Sequence, residues 1–111
     1  MANILIIDDD KLICDWITNV VIRLGHHPVS THLLRKGLRK VQADRFDIVF
    51  LDVQMPDGNG LEIMPEIKTA RSSPEIIVLT ALGDPDEAEL AIQTGAWDYL
   101  EKPASFEAIK L

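Results

Sequence analysis

The 111-residue chain is long enough for one hydrophobic core and too short for two. Hydrophobic residues make up 47% and charged residues 26%, an ordinary balance for a soluble globular domain, and a formal charge of −7 argues against gripping nucleic acid or an anionic membrane surface. The single cysteine, Cys14, excludes an internal disulfide and suits a reducing compartment. No segment has the length of a membrane span, and no basic region precedes the first apolar run, so a cytoplasmic protein without a signal peptide is expected.

Along the chain, short apolar runs alternate with helical patterns. Ile4–Ile7, Ile48–Leu51 and Ile76–Leu79 are continuous runs of Ile, Val, Leu and Phe, the pattern of strands buried on both faces of a parallel sheet. Pro28–His32 and Trp97–Leu100 are weaker candidates for two more strands. Ile13, Ile17, Val20, Val21 and Leu24 form a helical stripe that Gly25 ends. Leu34, Leu38 and Val41 form a second stripe, in which Gly37 is a mild flaw. A third helix is expected to start at Asn59, where Asn-Gly-Leu-Glu reads as a capping box. Asp84-Pro85-Asp86-Glu87 opens a fourth, whose apolar face, Ala88, Ala91 and Ile92, is small. A last helix begins near Ser105 and has under two turns before Leu111. Five strand–helix repeats predict a five-stranded parallel α/β sheet with helices on both faces. Ligands in such folds bind at the carboxyl ends of the strands.

Those ends carry the chemistry. Asp8-Asp9-Asp10 follows the first strand, Asp52 ends the third, Thr80 ends the fourth, and Lys102-Pro103 follows the fifth. Taken singly, each has an ordinary reading. An Asp before a helix is a cap, Asp52 precedes a turn at Asp57-Gly58, Thr80 ends a strand, and Lys102 is a solvated lysine. Caps do not explain why Asp8 and Asp52 should face each other across adjacent strands. Clustered carboxylates repel unless a cation sits among them. A hard divalent cation takes oxygen ligands of this kind, and a hydroxyl and an ammonium opposite it would neutralise a transferring phosphoryl group.

Two families place acids, Thr and Lys in this way. Asp8-x-Asp10 resembles the first motif of haloacid-dehalogenase-type phosphatases, with Asp8 as nucleophile. Leu12 stands where that motif wants Thr or Val, no acidic pair ends a later strand, and Asp52 would have no role. Ile6-Ile7-Asp8-Asp9-Asp10, Leu51-Asp52-Val53-Gln54-Met55-Pro56-Asp57-Gly58, Leu79-Thr80-Ala81 and Glu101-Lys102-Pro103 together resemble the receiver domain of two-component response regulators over almost the whole chain. That resemblance implies a flavodoxin-like (βα)5 fold with strand order 2-1-3-4-5.

It also implies a phosphorylation-activated switch rather than an enzyme, assisting only its own phosphorylation and dephosphorylation. Asp52 would accept the phosphoryl group from a sensor histidine kinase or phosphotransfer protein. Mg2+ or Mn2+ would be held by Asp9 directly, by Asp8 through water, by Asp52 and by the Gln54 carbonyl. Thr80 and the Ala81 N–H would bond phosphoryl oxygens, and Lys102 would pair with another after bridging to Asp52. Asp10 is left as a cap. Tyr99 would be the switch aromatic, turning inward as Thr80 moves, and the Lys102–Pro103 peptide would be cis. Gln54 and Leu82 sit where receivers tune acyl-phosphate lifetime. Trp97 is expected to pack between the fourth helix and the sheet, in room left by Gly95-Ala96. The fourth helix, fifth strand and fifth helix would contact an output domain or effector, or form a homodimer. The segment Gly95–Pro103 resembles receivers of nitrogen-regulatory-type transcriptional activators, so a downstream output domain beyond residues 1–111 is one expectation. A free-standing receiver in a phosphorelay is the other.

Overall fold

The computed structural model describes residues 1–102. The expected last helix from Ser105 and the Lys102–Pro103 peptide lie outside the described residues. Five strands, β1 (Asn3–Ile7), β2 (His27–Thr31), β3 (Ile48–Asp52), β4 (Glu75–Thr80) and β5 (Asp98–Glu101), form one parallel sheet. Their order is β2-β1-β3-β4-β5, the expected 2-1-3-4-5. Both faces of the central strands are covered. Helix α1 (Lys11–Arg23) packs Ile13, Cys14, Ile17 and Val21 against Ile4, Ile6 and Leu79 on one face. On the other face, α2 (Leu34–Ala43), α3 (Met64–Lys68) and α4 (Pro85–Thr94) cover Leu5, Ile7, Val49, Leu51 and Val78. This double burial is why β1, β3 and β4 read as unbroken apolar runs.

Register brings the polar strand ends together. Ile7 pairs with Leu51, so Asp8 and Asp52 come next, side by side. Asp52 pairs with Leu79, and Thr80 comes after it. Thr80 pairs with Glu101, and the Lys102 N–H donates to the Thr80 carbonyl at 2.8 Å.

Local chemistry explains most of the helix ends. Asp10 caps α1, its Oδ1 accepting from the Leu12 N–H at 2.9 Å. Asn59 likewise accepts from the Leu61 N–H at 2.8 Å. A 3-10 turn, Gly60–Ile63, separates Asn59 from the single α-helical stretch of α3, which has Pro65 in its first turn. Just upstream, Gln54–Met55 pairs antiparallel with Gly58–Asn59, a small hairpin where the sequence suggests only a turn. Gly95, at φ 117°, ends α4 in the left-handed conformation that glycine adopts without a Cβ penalty.

Two expectations are corrected. Trp97 does not pack between α4 and the sheet: it is 66% exposed, and the smaller Ala96 is the buried residue there, with Lys68 lying against Gly95. Gly37 is no flaw, because a Cβ there would run into the buried Ile7 side chain.

Candidate functional site

A cleft of about 280 Å3 opens at the carboxyl edge of the sheet, lined by Asp9, Asp10, Asp52, Gln54, Ala81, Glu87 and Lys102. Carboxylate oxygens of Asp8, Asp9 and Asp52 all lie within 4.8 Å of one another. Asp8 and Asp52 are buried and Asp9 is exposed. Lys102 Nζ bridges the two buried acids, 2.9 Å from Asp52 Oδ1 and 3.0 Å from Asp8 Oδ2. Asp8 Oδ1 accepts from the Asp10 N–H at 2.9 Å, and the buried Cys14 thiol donates to the Asp8 carbonyl at 3.3 Å.

Among the described residues the charges do not balance, since the carboxylates of Asp8, Asp9 and Asp52 face the one ammonium of Lys102. Burial, and after it the neighbouring Asp8 charge, pushes Asp52 up to about 7 despite Lys102 beside it. Desolvation pulls the Lys102 ammonium down, but its bonds and charge contacts with Asp52 and Asp8 outweigh that and hold it above the usual lysine range. Desolvation, then the Asp8 charge, raises Cys14 to about 11, so it stays a thiol. An all-oxygen donor set with excess negative charge fits a hard divalent cation. Among the described residues, the side chains that could hold one are Asp8, Asp9 and Asp52.

Thr80 is fully buried, and its Oγ1 has no hydrogen-bond partner among the described residues. Its neighbour Ala81 offers a backbone N–H to the cleft, taken by Glu87 Oε1 at 2.8 Å. Tyr99 stands outside this cleft, 41% exposed on β5, beside Gly83, Pro85, Ala88 and Ile92. Leu82 is exposed.

Glu87, Asp57 and Gly60 have roles that their place in the sequence does not reveal. Glu87 reads in sequence only as the third residue of α4. Asp57, in sequence a plain turn residue, accepts from the Leu34 N–H at 2.9 Å and the Arg35 N–H at 3.1 Å, capping α2 from the hairpin. Gly60 donates to the Val53 carbonyl at 2.6 Å and lies so near the Asp52 carbonyl that a Cβ would overlap it.

Residues 4–111 match the response regulator receiver domain. The chain belongs to the receiver domain family. Among curated relatives, the receiver is 39% identical over 102 residues to the DNA-binding transcriptional regulator NtrC of Azospirillum brasilense, covering 92% of this chain and 21% of that protein. The chain thus spans about a fifth of that relative's length. Among solved structures, it superposes on the beryllofluoride-activated NtrC4 receiver domain dimer with a TM-score of 0.84 at 35% identity, covering 98% of this chain and 90% of that one. It also superposes on a Burkholderia pseudomallei response regulator carrying a phosphorylated aspartic acid, a calcium ion and citrate. There the TM-score is 0.83 at 27% identity, with 98% of this chain and 64% of that one covered. The phosphatase alternative gains no support from these matches, and Asp8, its required nucleophile, is fully buried against Lys102 and the Asp10 N–H. No helix among the described residues is long and apolar enough to cross a membrane.

Proposed function

We propose that this receiver takes a phosphoryl group onto Asp52 from a sensor histidine kinase or phosphotransfer protein and passes the change to an output domain in transcription regulation. The observation that carries the assignment is the Lys102 bridge, which holds Asp52 at the cleft while Asp8 and Asp9 gather beside it. The phosphorylated aspartic acid of the Burkholderia pseudomallei structure and the transcriptional role of the NtrC relative support it.

In this reading a carboxylate oxygen of Asp52 attacks phosphorus, forming an acyl phosphate as the bond from phosphorus to the donor's imidazole nitrogen breaks. Mg2+ or Mn2+, held by Asp8, Asp9, Asp52 and the Gln54 carbonyl, would neutralise charge on the transferring group. Lys102 turns from Asp52 to a phosphoryl oxygen. The Thr80 hydroxyl, unpartnered among the described residues, gains an acceptor when it moves toward the phosphate, and Tyr99 turns into the space Thr80 leaves. The exposed face of α4 and β5 then changes its contacts with an output domain, an effector or a second receiver. Intact-mass measurement after incubation with Mg2+ and a small phosphodonor tests the assignment. One phosphoryl group should be gained by the parent and none by Asp52→Asn; equal gain in both would sink it.

A further inference from the structure

Glu87 lines the same cleft as Asp52, yet phosphoryl transfer to Asp52 leaves it without a task. In a capping box, the acid three residues into a helix returns to the N–H of the capping residue. Here that N–H is engaged elsewhere, because Asp84 donates to the Ala81 carbonyl at 3.2 Å. Asp84 Oδ1 still caps the helix through the Glu87 N–H at 3.0 Å. The Glu87 side chain reaches past Asp84 and takes the Ala81 N–H at 2.8 Å. Ala81 is therefore clamped on both its N–H and its carbonyl by the start of α4.

We propose that the Glu87 carboxylate is a built-in competitor for the phosphoryl group, holding the Ala81 N–H in the unphosphorylated domain and expelled from it by phosphate on Asp52. This rests on Asp52 as the phosphoacceptor and adds a regulator to that site. One N–H does not serve a carboxylate and a phosphoryl oxygen together, and the two anions repel in a cleft already rich in acids. Expulsion removes the longer-reaching half of the clamp and leaves the first turn of α4 tied to Ala81 only through Asp84. Phosphate on Asp52 thereby acts on α4 directly, and Glu87 sets how hard the site is to fill.

The test is a titration of the whole chain with beryllofluoride, a phosphoryl mimic, in saturating Mg2+, monitored by the backbone amide spectrum. Glu87→Ala should bind on the order of tenfold more tightly than the parent, the scale expected for a competing charged hydrogen bond. Glu87→Gln, which keeps the shape without the charge, should fall between the two. Asp86→Asn removes the same charge from the same helical turn without touching Ala81, and should shift affinity by less than about twofold. A melting curve for each variant checks that α4 remains folded, and Glu87→Gln carries the comparison if Glu87→Ala melts early. Unchanged or weaker binding by both Glu87 variants overturns the proposal, as does equal tightening by Asp86→Asn. If the parent binds, Asp52→Asn does not, and Glu87 variants match the parent, the phosphoacceptor assignment stands and the competitor falls. No binding by any variant removes both.

Discussion

Thr80 places a hydroxyl where the protein gives it nothing to bond among the described residues. A buried, unpaired polar group of this kind costs roughly 1–3 kcal/mol. Thr80→Val keeps the shape and removes the hydroxyl, so the unphosphorylated domain should be as stable as the parent or more stable by up to about 1 kcal/mol. Urea unfolding checks this. The same variant should still gain a phosphoryl group at Asp52 yet show no change in amide resonances along α4 and β5. A stable variant that still switches would remove Thr80 from the coupling. Asp8, Asp52, Thr80 and Lys102 each read singly as a cap, a turn acid, a strand end or a surface lysine, but their shared place at the ends of apolar runs put them at one sheet edge. Glu87 and Asp57 were not, because each reaches a backbone N–H that only the folded loops bring near. An acid in a first helical turn carries no mark of whether it serves its own helix or a neighbouring strand end.

At the scale of elements, α2 depends on residues outside itself. Its N-cap position, Leu33, makes no side-chain cap bond, and Asp57 supplies the missing acceptors from the hairpin after β3. Desolvation opposes ionisation of Asp57, but the bonds from Leu34 and Arg35 outweigh it and hold the carboxyl below its usual range. The folded domain therefore favours ionised Asp57. That stability is present above the unfolded value of about 3.9 and is lost as pH falls through the lower folded value. Asp57→Ala should cost about 1 kcal/mol at neutral pH, as loss of a helix cap does, with the gap closing below about pH 4. An equal gap at both pH values in denaturant unfolding would contradict this. Gly37→Ala tests the other contact of α2. Helix propensity favours the alanine by about 1 kcal/mol, but its Cβ would overlap the buried Ile7. A net loss of about 1–3 kcal/mol is expected, as for other overpacked cores. Strands β1, β3 and β4 were legible because both their faces are buried, whereas the hairpin and the 3-10 turn depend on local geometry that periodicity does not encode. Trp97 misled because an aromatic before a strand reads as core, while Lys68 lies against Gly95 and the smaller Ala96 is the buried residue there.

For the whole molecule, the carboxyl edge of the sheet concentrates negative charge in a chain whose formal charge is already −7. Without a cation, burial and Asp8 push Asp52 up to about 7. The folded domain then holds a proton that the unfolded chain has released above its own value near 3.9. Stability from this group is therefore full at low pH and is lost as pH rises from about 4 through about 7. A divalent cation would oppose that trend, since it would bind the ionised carboxylates and compete with the proton. Mg2+ at about ten times its dissociation constant adds roughly 1.4 kcal/mol, which raises the melting temperature of a domain this size by about 5 °C or more. That rise should be largest above about pH 7 and shrink toward about pH 5, where Asp52 is protonated. Asp52→Asn should lose most of the Mg2+ effect and, in metal-free buffer, most of the decline with pH. Calorimetric melts of parent and Asp52→Asn at both pH values, with and without Mg2+, check these expectations. A Mg2+ effect independent of pH, or intact in Asp52→Asn, would place the cation away from Asp52.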